Sequence, residues 1–208
     1  MAIAPLPDNE TARLAALSDY QILDTAAEKI FDSITALASK VCEVPISLIT
    51  LIDRDRQWFK SIHGAPQEIR ETSRDIANCA HAILNNELTQ ISDMRLDPRF
   101  SDNPLNHEYN LQFYAGVPLT VGDGLNIGTL CVLDTKPKQL TQEQKDFLKN
   151  LSEIVVALLD AKKRLSKITL LGQILESSFN EIYIFDIETL ECTYANQGAL
   201  QRPAIHFR

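Results

Sequence analysis

The chain contains 208 residues, of which 45% are hydrophobic and 23% are charged, and its net charge at pH 7 is −8. This length and composition are ordinary for a globular protein with one well-cored domain and helical extensions, or one domain and a fragment of another. The acidic balance argues against nucleic acid as a partner, because phosphate binding requires a surplus of Lys and Arg on one face.

The sequence also bears on the compartment. No apolar run reaches the roughly 18 residues of a membrane-spanning helix, and the opening MAIAPLPDNE lacks the basic flank and apolar core of a signal peptide. We therefore expect a cytoplasmic protein without a membrane partner. The cysteines are scattered among apolar neighbours and form no CxxC pair, which predicts small core residues in a reducing compartment: Cys42, Cys79, Cys131 and Cys192.

The first part of the chain is predicted to be helical. Residues 1–9 contain two prolines and no apolar periodicity, so we expect a flexible arm. Helical spacing of apolar residues predicts a short helix over 10–20 and a longer one over 26–42, the second with one clear buried stripe. Thr25 stands three residues before Glu28, which is the spacing of a capping box.

Strands and loops follow. β-Branched residues predict a strand over 46–53, and a charged turn leads into a second strand over 57–62, so the two form a hairpin. The polar segment 65–74 is expected to be a surface loop. The remaining elements before the centre of the chain are a compact helix over 75–84, a short strand over 89–92, and a proline-punctuated connection over 97–110 with one helical turn at 104–108.

The central prediction is a second hairpin. The apolar runs 113–121 and 127–133 are separated by Gly122-Asp123-Gly124, which supplies the positive-φ positions that a chain reversal needs. Both runs are almost continuously apolar, which indicates the middle of a sheet covered by helices.

These elements predict an α+β fold. An antiparallel sheet of about six strands should carry the helices 26–42 and 141–175 on one face. The opposite face, closed by the helix 75–84 and the loop 93–110, should carry a cavity.

The last helix is predicted to extend beyond its own domain. Thr141 and Gln144 have capping-box spacing at its start. Apolar residues then recur in steps of four and three: Phe147, Leu151, Ile154, Leu158, Ala161, Leu165, Ile168 and Leu175. Gly172 occupies one position of the same series and is the exception, because it is not apolar. Because this run is longer than one sheet requires, its far half is predicted to pack against a partner helix in a parallel homodimer; a long helix packed only on its own domain is the alternative.

Several ordered motifs resemble the GAF domains of bacterial histidine kinases and cyclic di-GMP enzymes. They are FYAGVPL and IGTLCVLD in the central hairpin, DRDRQWFKS (53–61), RDIANCAHAIL (74–84) and ISDMRLDPRFSDNP (91–104). The resemblance covers residues 10–160 and implies a sensory module. Residues 161–179 are then a signalling or coiled-coil linker helix. Residues 180–208 resemble the opening of a PAS domain, too short to close that fold, or a tail.

The candidate ligand-binding residues lie on the strands, on the helix 75–84 and on the loop before the central hairpin: Trp58, Phe59, Cys79, His81, Asp93, Arg99, Phe100, Tyr109, Phe113, Tyr114 and Gly116. Trp58 and Phe59 must point to opposite sides of their strand, so one faces the helices and the other faces a pocket rim. The polar loop around Arg99 is either a lid that holds an anionic group or a salt-bridged connection that fixes the backbone. Gly116 would allow a ligand to approach the backbone closely.

The resemblance to GAF domains does not imply a particular cofactor. Bilin-binding GAF domains attach the pigment to a cysteine followed directly by histidine, whereas Ala80 separates Cys79 from His81, so a bilin is not expected. No run matches the NKFDE-type signature of cyclic-nucleotide GAF domains. A metal site from Cys79, His81 and His63 lacks a supporting spacing.

The GAF resemblance therefore implies a non-catalytic sensor. A small molecule or environmental signal would shift a two-state balance, and the exit helix would convey it to an output kinase or cyclase domain. One alternative is a ligand-free structural dimerisation module. A second is a free methionine sulfoxide reductase of GAF-like fold, which would need Cys79 and Cys131 together in an exposed pocket; their apolar neighbourhoods argue against that.

Overall fold

The computed structural model describes residues 2–66 and 68–200 of the chain. The chain divides into two compact units, residues 1–160 and 161–208, and the boundary falls inside the longest helix. The α-helices of the described residues are α1 (Glu10–Asp19), α2 (Lys29–Cys42), α3 (Asn78–Ala82), α4 (Pro104–Glu108), α5 (Gln142–Glu176) and α6 (Gln197–Leu200).

Six strands of the first unit form one antiparallel sheet. They are β1 (Ile46–Ile52), β2 (Arg56–His63), β3 (Glu71–Ser73), β4 (Thr89–Ile91), β5 (Phe113–Val121) and β6 (Leu125–Asp134), in the order β3-β2-β1-β6-β5-β4. The predicted α+β fold is confirmed. The edge strand β3 lies in the segment that was predicted to be only a surface loop.

The central hairpin is confirmed. β5 and β6 pair directly, and β6 lies between β5 and β1. Gly122 and Gly124 have φ values of +51° and +86° in the turn between them, a backbone region that glycine enters at little cost. This register places Gly116 of β5 opposite Cys131 of β6.

The two faces of the sheet are buried differently. One face packs against α1, α2 and the first part of α5, and we call this the helix-side core; it includes Leu17, Phe31, Ile34, Ala38, Ile49, Trp58, Phe113, Leu119, Leu148, Leu151, Val155 and Leu159. The other face carries a smaller apolar group, here the pocket-side cluster: Ile52, Cys79, Ala82, Ile83, Ile91, Met94, Phe100, Tyr114, Cys131 and Leu133. The predicted assignment of helices to one face is therefore confirmed.

The predicted capping box at Thr25 is wrong. Helix α2 begins at Lys29, and Glu28 at its N-cap makes no capping hydrogen bond. Instead the Thr25 hydroxyl donates to the Ile22 carbonyl, and both Thr25 and Glu28 accept hydrogen bonds from the buried ammonium of Lys60. A tertiary ion pair has replaced the local cap.

The predicted compact helix over 75–84 is wrong in its bounds. A 3₁₀ turn occupies Arg74–Ile76, and α3 begins only at Asn78 because Ala77 is extended, with φ −80° and ψ 118°. By contrast, α4 lies where one helical turn was predicted, with Asn103 as its side-chain N-cap and Pro104 in its first turn.

Helix α5 begins with a reciprocal cap. The Thr141 hydroxyl accepts from the Gln144 amide nitrogen, and the Gln144 side chain accepts from the Thr141 amide nitrogen, so this predicted capping box is confirmed. The residues of α5 that are buried are Leu148, Leu151, Ser152, Val155 and Leu159. Of the predicted heptad positions, Ile154, Leu165, Ile168 and Leu175 are exposed.

The second unit contains the end of α5, a small hairpin and α6. Strands β7 (Tyr183–Phe185) and β8 (Cys192–Ala195) pair antiparallel. Cys192 is exposed, so its predicted place in a core is wrong. In the described part of the chain β8 pairs with β7 alone, and all three residues of β7 are exposed as well. The predicted tail 201–208 lies outside the described residues.

Within residues 2–66 and 68–200, no helix is both long enough and apolar enough to cross a membrane.

Candidate ligand-binding site

A half-enclosed cavity of about 130 Å³ lies on the sheet face opposite the helix-side core. Strands β1, β2, β5 and β6 form its floor. Its sides are formed by the segments 78–79 and 105–111 and by Ala65, Pro66, Ile69 and Thr72. Its walls are mainly apolar: Ile46, Leu48, Phe59, Ile62, Ala65, Pro66, Ile69, Leu105, Leu111 and Leu133. We call this cavity the sheet pocket. A cavity of this size and character suits a small, mostly apolar ligand.

One polar side chain in the sheet pocket has an unused acceptor. Gln57 lines the pocket and is 5% exposed. Its Nε2 donates to the Thr72 hydroxyl at 3.3 Å, whereas its Oε1 is buried and has no hydrogen-bond partner among the described residues. An unpaired buried carbonyl costs free energy, so a ligand that offers a donor here would stabilise the site.

Two cysteines and a tyrosine meet at the inner end of the sheet pocket. Cys79 comes from α3 and Cys131 from β6, and their sulfur atoms are 3.7 Å apart. The Tyr114 hydroxyl donates to the Cys79 sulfur at 3.4 Å. The structure thus brings together the two cysteines whose apolar neighbours had argued against such a pairing.

Gly116 gives Tyr114 its position. Residues 114 and 116 of β5 point to the same side of the sheet, and a Cβ atom built on Gly116 would fall on the phenol ring of Tyr114. The ring therefore lies across Gly116 and reaches Cys79. The space beside the Gly116 backbone is filled by this side chain, whereas the sequence had suggested that a ligand would use it.

The two thiols differ in acidity. Burial raises the pKa of Cys131 well above its usual value, and the hydrogen bond with Cys79 raises it further. Burial also acts to raise the pKa of Cys79, but the hydrogen bonds that its sulfur makes, among them those with Cys131 and Tyr114, outweigh burial and lower that pKa. Cys79 is therefore the thiol of the pair that ionises first.

A network of buried amides holds the loop 97–110 against α3. The Asn103 side chain donates to the Asn78 side chain at 2.8 Å and to the Ile76 carbonyl at 3.0 Å, and the Asn78 amide donates to the Asn106 side chain at 2.8 Å. Because Asn78 also lines the sheet pocket, this network links the loop to the pocket wall.

Two ion pairs lie at the start of that loop and just before it. Asp97 accepts a two-point hydrogen bond from Arg99, and the guanidinium also lies 4.9 Å from the Phe100 ring centroid. The hydrogen bond from Arg99 lowers the pKa of Asp97. Asp93 and Arg95 form a similar pair. These contacts match the interpretation of a salt-bridged loop that fixes the backbone.

The structure separates the predicted ligand-binding residues into two groups. Phe59, Cys79, Tyr109 and Tyr114 line the sheet pocket. The others lie elsewhere: Trp58 and Phe113 in the helix-side core, Phe100 in the pocket-side cluster, Gly116 beneath Tyr114, Asp93 and Arg99 in loop ion pairs, and His81 against the N-terminal arm. Trp58 and Phe59 point to opposite faces, as strand alternation requires.

His81 has a structural contact. Its Nε2 donates to the Ala2 carbonyl at 3.0 Å, and its ring lies edge-on to Phe100 with centroids 4.9 Å apart. Burial lowers the pKa of His81. Within residues 2–66 and 68–200, no group of three or more His, Cys, Asp or Glu side chains could hold a metal ion.

Sequence reasoning missed the Gln57 amide and the part of the wall formed by Ala65, Pro66, Ile69 and Thr72. Strand alternation carries Gln57 to the same side as Phe59, so that side chain could have been found from the pattern. No such signal was present for Ala65, Pro66 and Ile69, because residues outside helices and strands have no periodicity from which a facing direction can be read.

Comparison with known proteins agrees with this fold. The family model described as GAF domain matches residues 26–159. A cyclic di-GMP phosphodiesterase of Pseudomonas aeruginosa is 38% identical over 159 residues, which are 76% of this chain and 27% of that protein. The chain thus spans about a quarter of that relative's length.

Two solved structures share the fold at low sequence identity. The GAF domain of an Acinetobacter phosphoenolpyruvate-protein phosphotransferase has a TM-score of 0.55 at 15% identity, covering 78% of this chain and 99% of that one. A type II free methionine-R-sulfoxide reductase of Thermoplasma acidophilum has a TM-score of 0.53 at 14% identity, covering 63% and 90%. Since the family match extends from α2 through the whole sheet into α5, this chain belongs to the GAF domain family.

Proposed function

We propose that this chain is a sensory domain that binds a small, mostly apolar molecule carrying one hydrogen-bond donor, and that it signals through α5 to an output domain. The observation that carries the proposal is the sheet pocket, an apolar cavity of about 130 Å³ with the unpaired Gln57 Oε1 in its wall. Apolar walls supply affinity, and one buried acceptor supplies orientation.

The output of the signal is part of the same proposal. GAF domains are typical of sensory proteins, and the Pseudomonas aeruginosa relative is named a cyclic di-GMP phosphodiesterase. We infer that this domain regulates a kinase, a cyclase or a phosphodiesterase in bacterial signal transduction and is not itself the catalyst. A ligand that binds one arrangement of the pocket wall more tightly than another would shift the balance between two states.

Indole is a suitable probe for the pocket, because it is compact and apolar and carries one N–H donor. We expect it to bind, and N-methylindole, which lacks the donor, to bind about three- to tenfold more weakly, since one hydrogen bond contributes about 0.5–1.5 kcal/mol. Gln57→Leu should remove most of this difference. Titration followed by NMR chemical shifts measures both dissociation constants.

Matched variants locate the binding. Leu48→Phe fills the pocket wall and should abolish indole binding, whereas Leu125→Phe makes the same change at a partly buried leucine beside the helix-side core and should not. If indole binds equally well to both variants, it does not occupy the sheet pocket. If neither indole nor N-methylindole binds to the unmodified protein, the ligand-free dimerisation module becomes the better interpretation.

A free methionine sulfoxide reductase remains the enzymatic alternative. The 3.7 Å contact between Cys79 and Cys131 favours it, since such an enzyme needs two thiols in one pocket. The apolar walls oppose it, because the charged ammonium and carboxylate of a free amino acid would lose their hydration there. Thiol-dependent reduction of free methionine sulfoxide that disappears in both Cys79→Ser and Cys131→Ser would decide for the enzyme.

We also propose the parallel homodimer through α5. Its support is the exposed apolar series Leu165, Ile168 and Leu175 on one side of the far half of the helix. Leu165→Asp with Ile168→Asp should convert a dimer into a monomer in sedimentation equilibrium. Ser166→Asp with Thr169→Asp adds the same charge at neighbouring exposed positions and should leave the dimer intact. If the unmodified chain sediments as a monomer, the proposed homodimer is refuted.

A further inference from the structure

The inner end of the sheet pocket places two thiols from separate elements in contact. Cys79 and Cys131 are 2% and 0% exposed, and both line the pocket, so a molecule in the pocket can reach them. Their sulfur atoms lie at 3.7 Å, which is a van der Waals contact between two reduced thiols. A disulfide would require them to approach each other by about 1.6 Å, to a bond length of about 2.05 Å.

The surroundings distinguish the two sulfurs. Cys79 lies in the five-residue helix α3 and receives the Tyr114 hydroxyl at 3.4 Å. Cys131 lies in β6, which is hydrogen-bonded to β1 on one side and to β5 on the other. Cys79 is also the more acidic thiol of the pair, and the thiolate is the nucleophilic form of cysteine. Cys79 therefore suits the attacking role, and Cys131 the resolving role.

We propose that Cys79 and Cys131 form a dithiol that hydrogen peroxide oxidises to a disulfide at the inner end of the sheet pocket. The Cys79 thiolate attacks one peroxide oxygen and the O–O bond breaks. The other oxygen departs as hydroxide, which takes up the proton that the thiol had released and leaves as water. Cys79 is then a sulfenic acid.

The Cys131 sulfur completes the reaction. It attacks the Cys79 sulfur, the S–O bond breaks as the S–S bond forms, and the hydroxide leaves as water with the proton of Cys131. In total two thiols are oxidised and one peroxide is reduced to two waters. Hydrogen peroxide is a small neutral molecule, which the apolar pocket can admit.

The disulfide would change the pocket wall. Because β6 is fixed by strands on both sides, the closing movement falls mainly on α3. That helix carries Asn78, which lines the pocket and holds Asn103 and Asn106 of the loop 97–110. Oxidation thus regulates the ligand site. This consequence rests on the proposed function, whereas formation of the disulfide does not depend on it.

The test uses the full chain with Cys192→Ser, which removes the exposed thiol and leaves three buried ones. The protein is treated with hydrogen peroxide, denatured, alkylated and analysed by mass spectrometry. We expect one alkylated thiol, Cys42, and a linked pair of peptides containing Cys79 and Cys131 that dithiothreitol separates. Three alkylated thiols after the treatment would overturn the proposal.

Two variants assign the roles. In Cys131→Ser, Cys79 should stop at the sulfenic acid and be trapped by dimedone, whereas Cys79→Ser should leave Cys131 unmodified. Cys42→Ser is the matched control, since burial raises the pKa of Cys42 to about 11 and it is not in the pocket; the cross-link should form unchanged. Oxidation of Cys79 to the sulfinic acid in the unsubstituted pair, with Cys131 still reduced, would contradict the resolving role.

Indole binding separates this proposal from the proposed function. The oxidised protein should bind indole roughly tenfold more weakly than the reduced protein, equivalent to ~1.4 kcal/mol. A cross-link that forms in a protein that never binds indole would support the dithiol and refute the ligand site. Indole binding in a protein that forms no cross-link would support the ligand site and refute the dithiol.

Discussion

Gly128→Ala is expected to lower the free energy of unfolding by about 3 kcal/mol or more. Gly128 pairs with Leu51 of β1 and with Leu119 of β5, so backbone surrounds it on both sides within the sheet. A Cβ atom at this position would fall on the Thr50 carbonyl oxygen and on the Leu51 backbone. Since neither can move without separating β1 from β6, the strain must be relieved by disrupting the centre of the sheet.

Urea denaturation followed by circular dichroism measures the effect, and another glycine of the same chain provides the control. Gly172 is a helical residue of α5, and a Cβ there would meet nothing within 4 Å. Gly172→Ala should leave stability unchanged or raise it by up to about 1 kcal/mol, because alanine favours helix. Equal midpoints for the two variants would show that the approach of β1 to Gly128 is not as close as described.

Glu10→Gln should destabilise the protein by about 3 kcal/mol at neutral pH, because it leaves two buried guanidinium groups without their anion. Arg13 is fully buried; it donates twice to the Glu10 carboxylate at 2.8 Å and once to the Ile52 carbonyl. Arg74 is also buried and bonds the same carboxylate as well as the carbonyls of Asp53 and Arg54. This network fastens α1 to the end of β1.

The loss should depend on pH in a defined direction. Partial burial acts to raise the pKa of Glu10, but the hydrogen bonds and charges of Arg13 and Arg74 outweigh it and lower the pKa from 4.5 to about 2. A carboxylate whose pKa falls on folding stabilises the protein above its unfolded pKa. That stabilisation is lost as the pH falls from about 4.5 towards 2.

Thermal unfolding of both proteins between pH 2 and pH 7 tests this prediction. The difference between them should be largest at neutral pH and should shrink as the pH falls through the acidic range. Glu153→Gln, at an exposed position of α5, is the matched control and should change stability by less than about 0.5 kcal/mol throughout. A difference between the Glu10 proteins that is constant with pH would mean that the lost contact is not ionic.

The sequence was sufficient to predict five of the six strands and the face that the helices cover, but not the edge strand β3. The glycines at 122 and 124 and the apolar runs beside them specify the central hairpin, and the long stripe of α2 specifies the covered face. The reason is that turn chemistry and side-chain periodicity are local properties. Strand alternation also predicted that Trp58 and Phe59 would face opposite sides of β2, but not which of them would face the pocket.

The far part of β2 could not be predicted in this way. Its pairing with β1 shifts by one residue at Lys60, where a bulge lets Lys60 and Ser61 both face α2: Lys60 bonds Glu28, and Ser61 bonds Asp32. Ile62 consequently lines the pocket. A strictly alternating strand would place these side chains on the wrong faces, and only their tertiary contacts reveal the extra residue.

The contact between the two cysteines of the site also could not be predicted from the sequence. Cys79 and Cys131 are 52 positions apart, and their contact depends on where α3 begins, which the extended backbone of Ala77 decides. The apolar neighbours of both cysteines correctly indicated burial but could not indicate proximity. Long-range contacts between two buried residues leave no periodic signal in one sequence.

The ends of the sheet have a consequence for self-association. Its outermost strands, β3 and β4, contain three residues each, and β5 continues past β4 with Pro118, which has no amide hydrogen to offer a neighbour. Short borders of this kind give the backbone of an incoming chain little to hydrogen-bond, which disfavours fibril growth by strand addition. Copies of this domain should therefore resist amyloid-like stacking through this sheet even at high protein concentration.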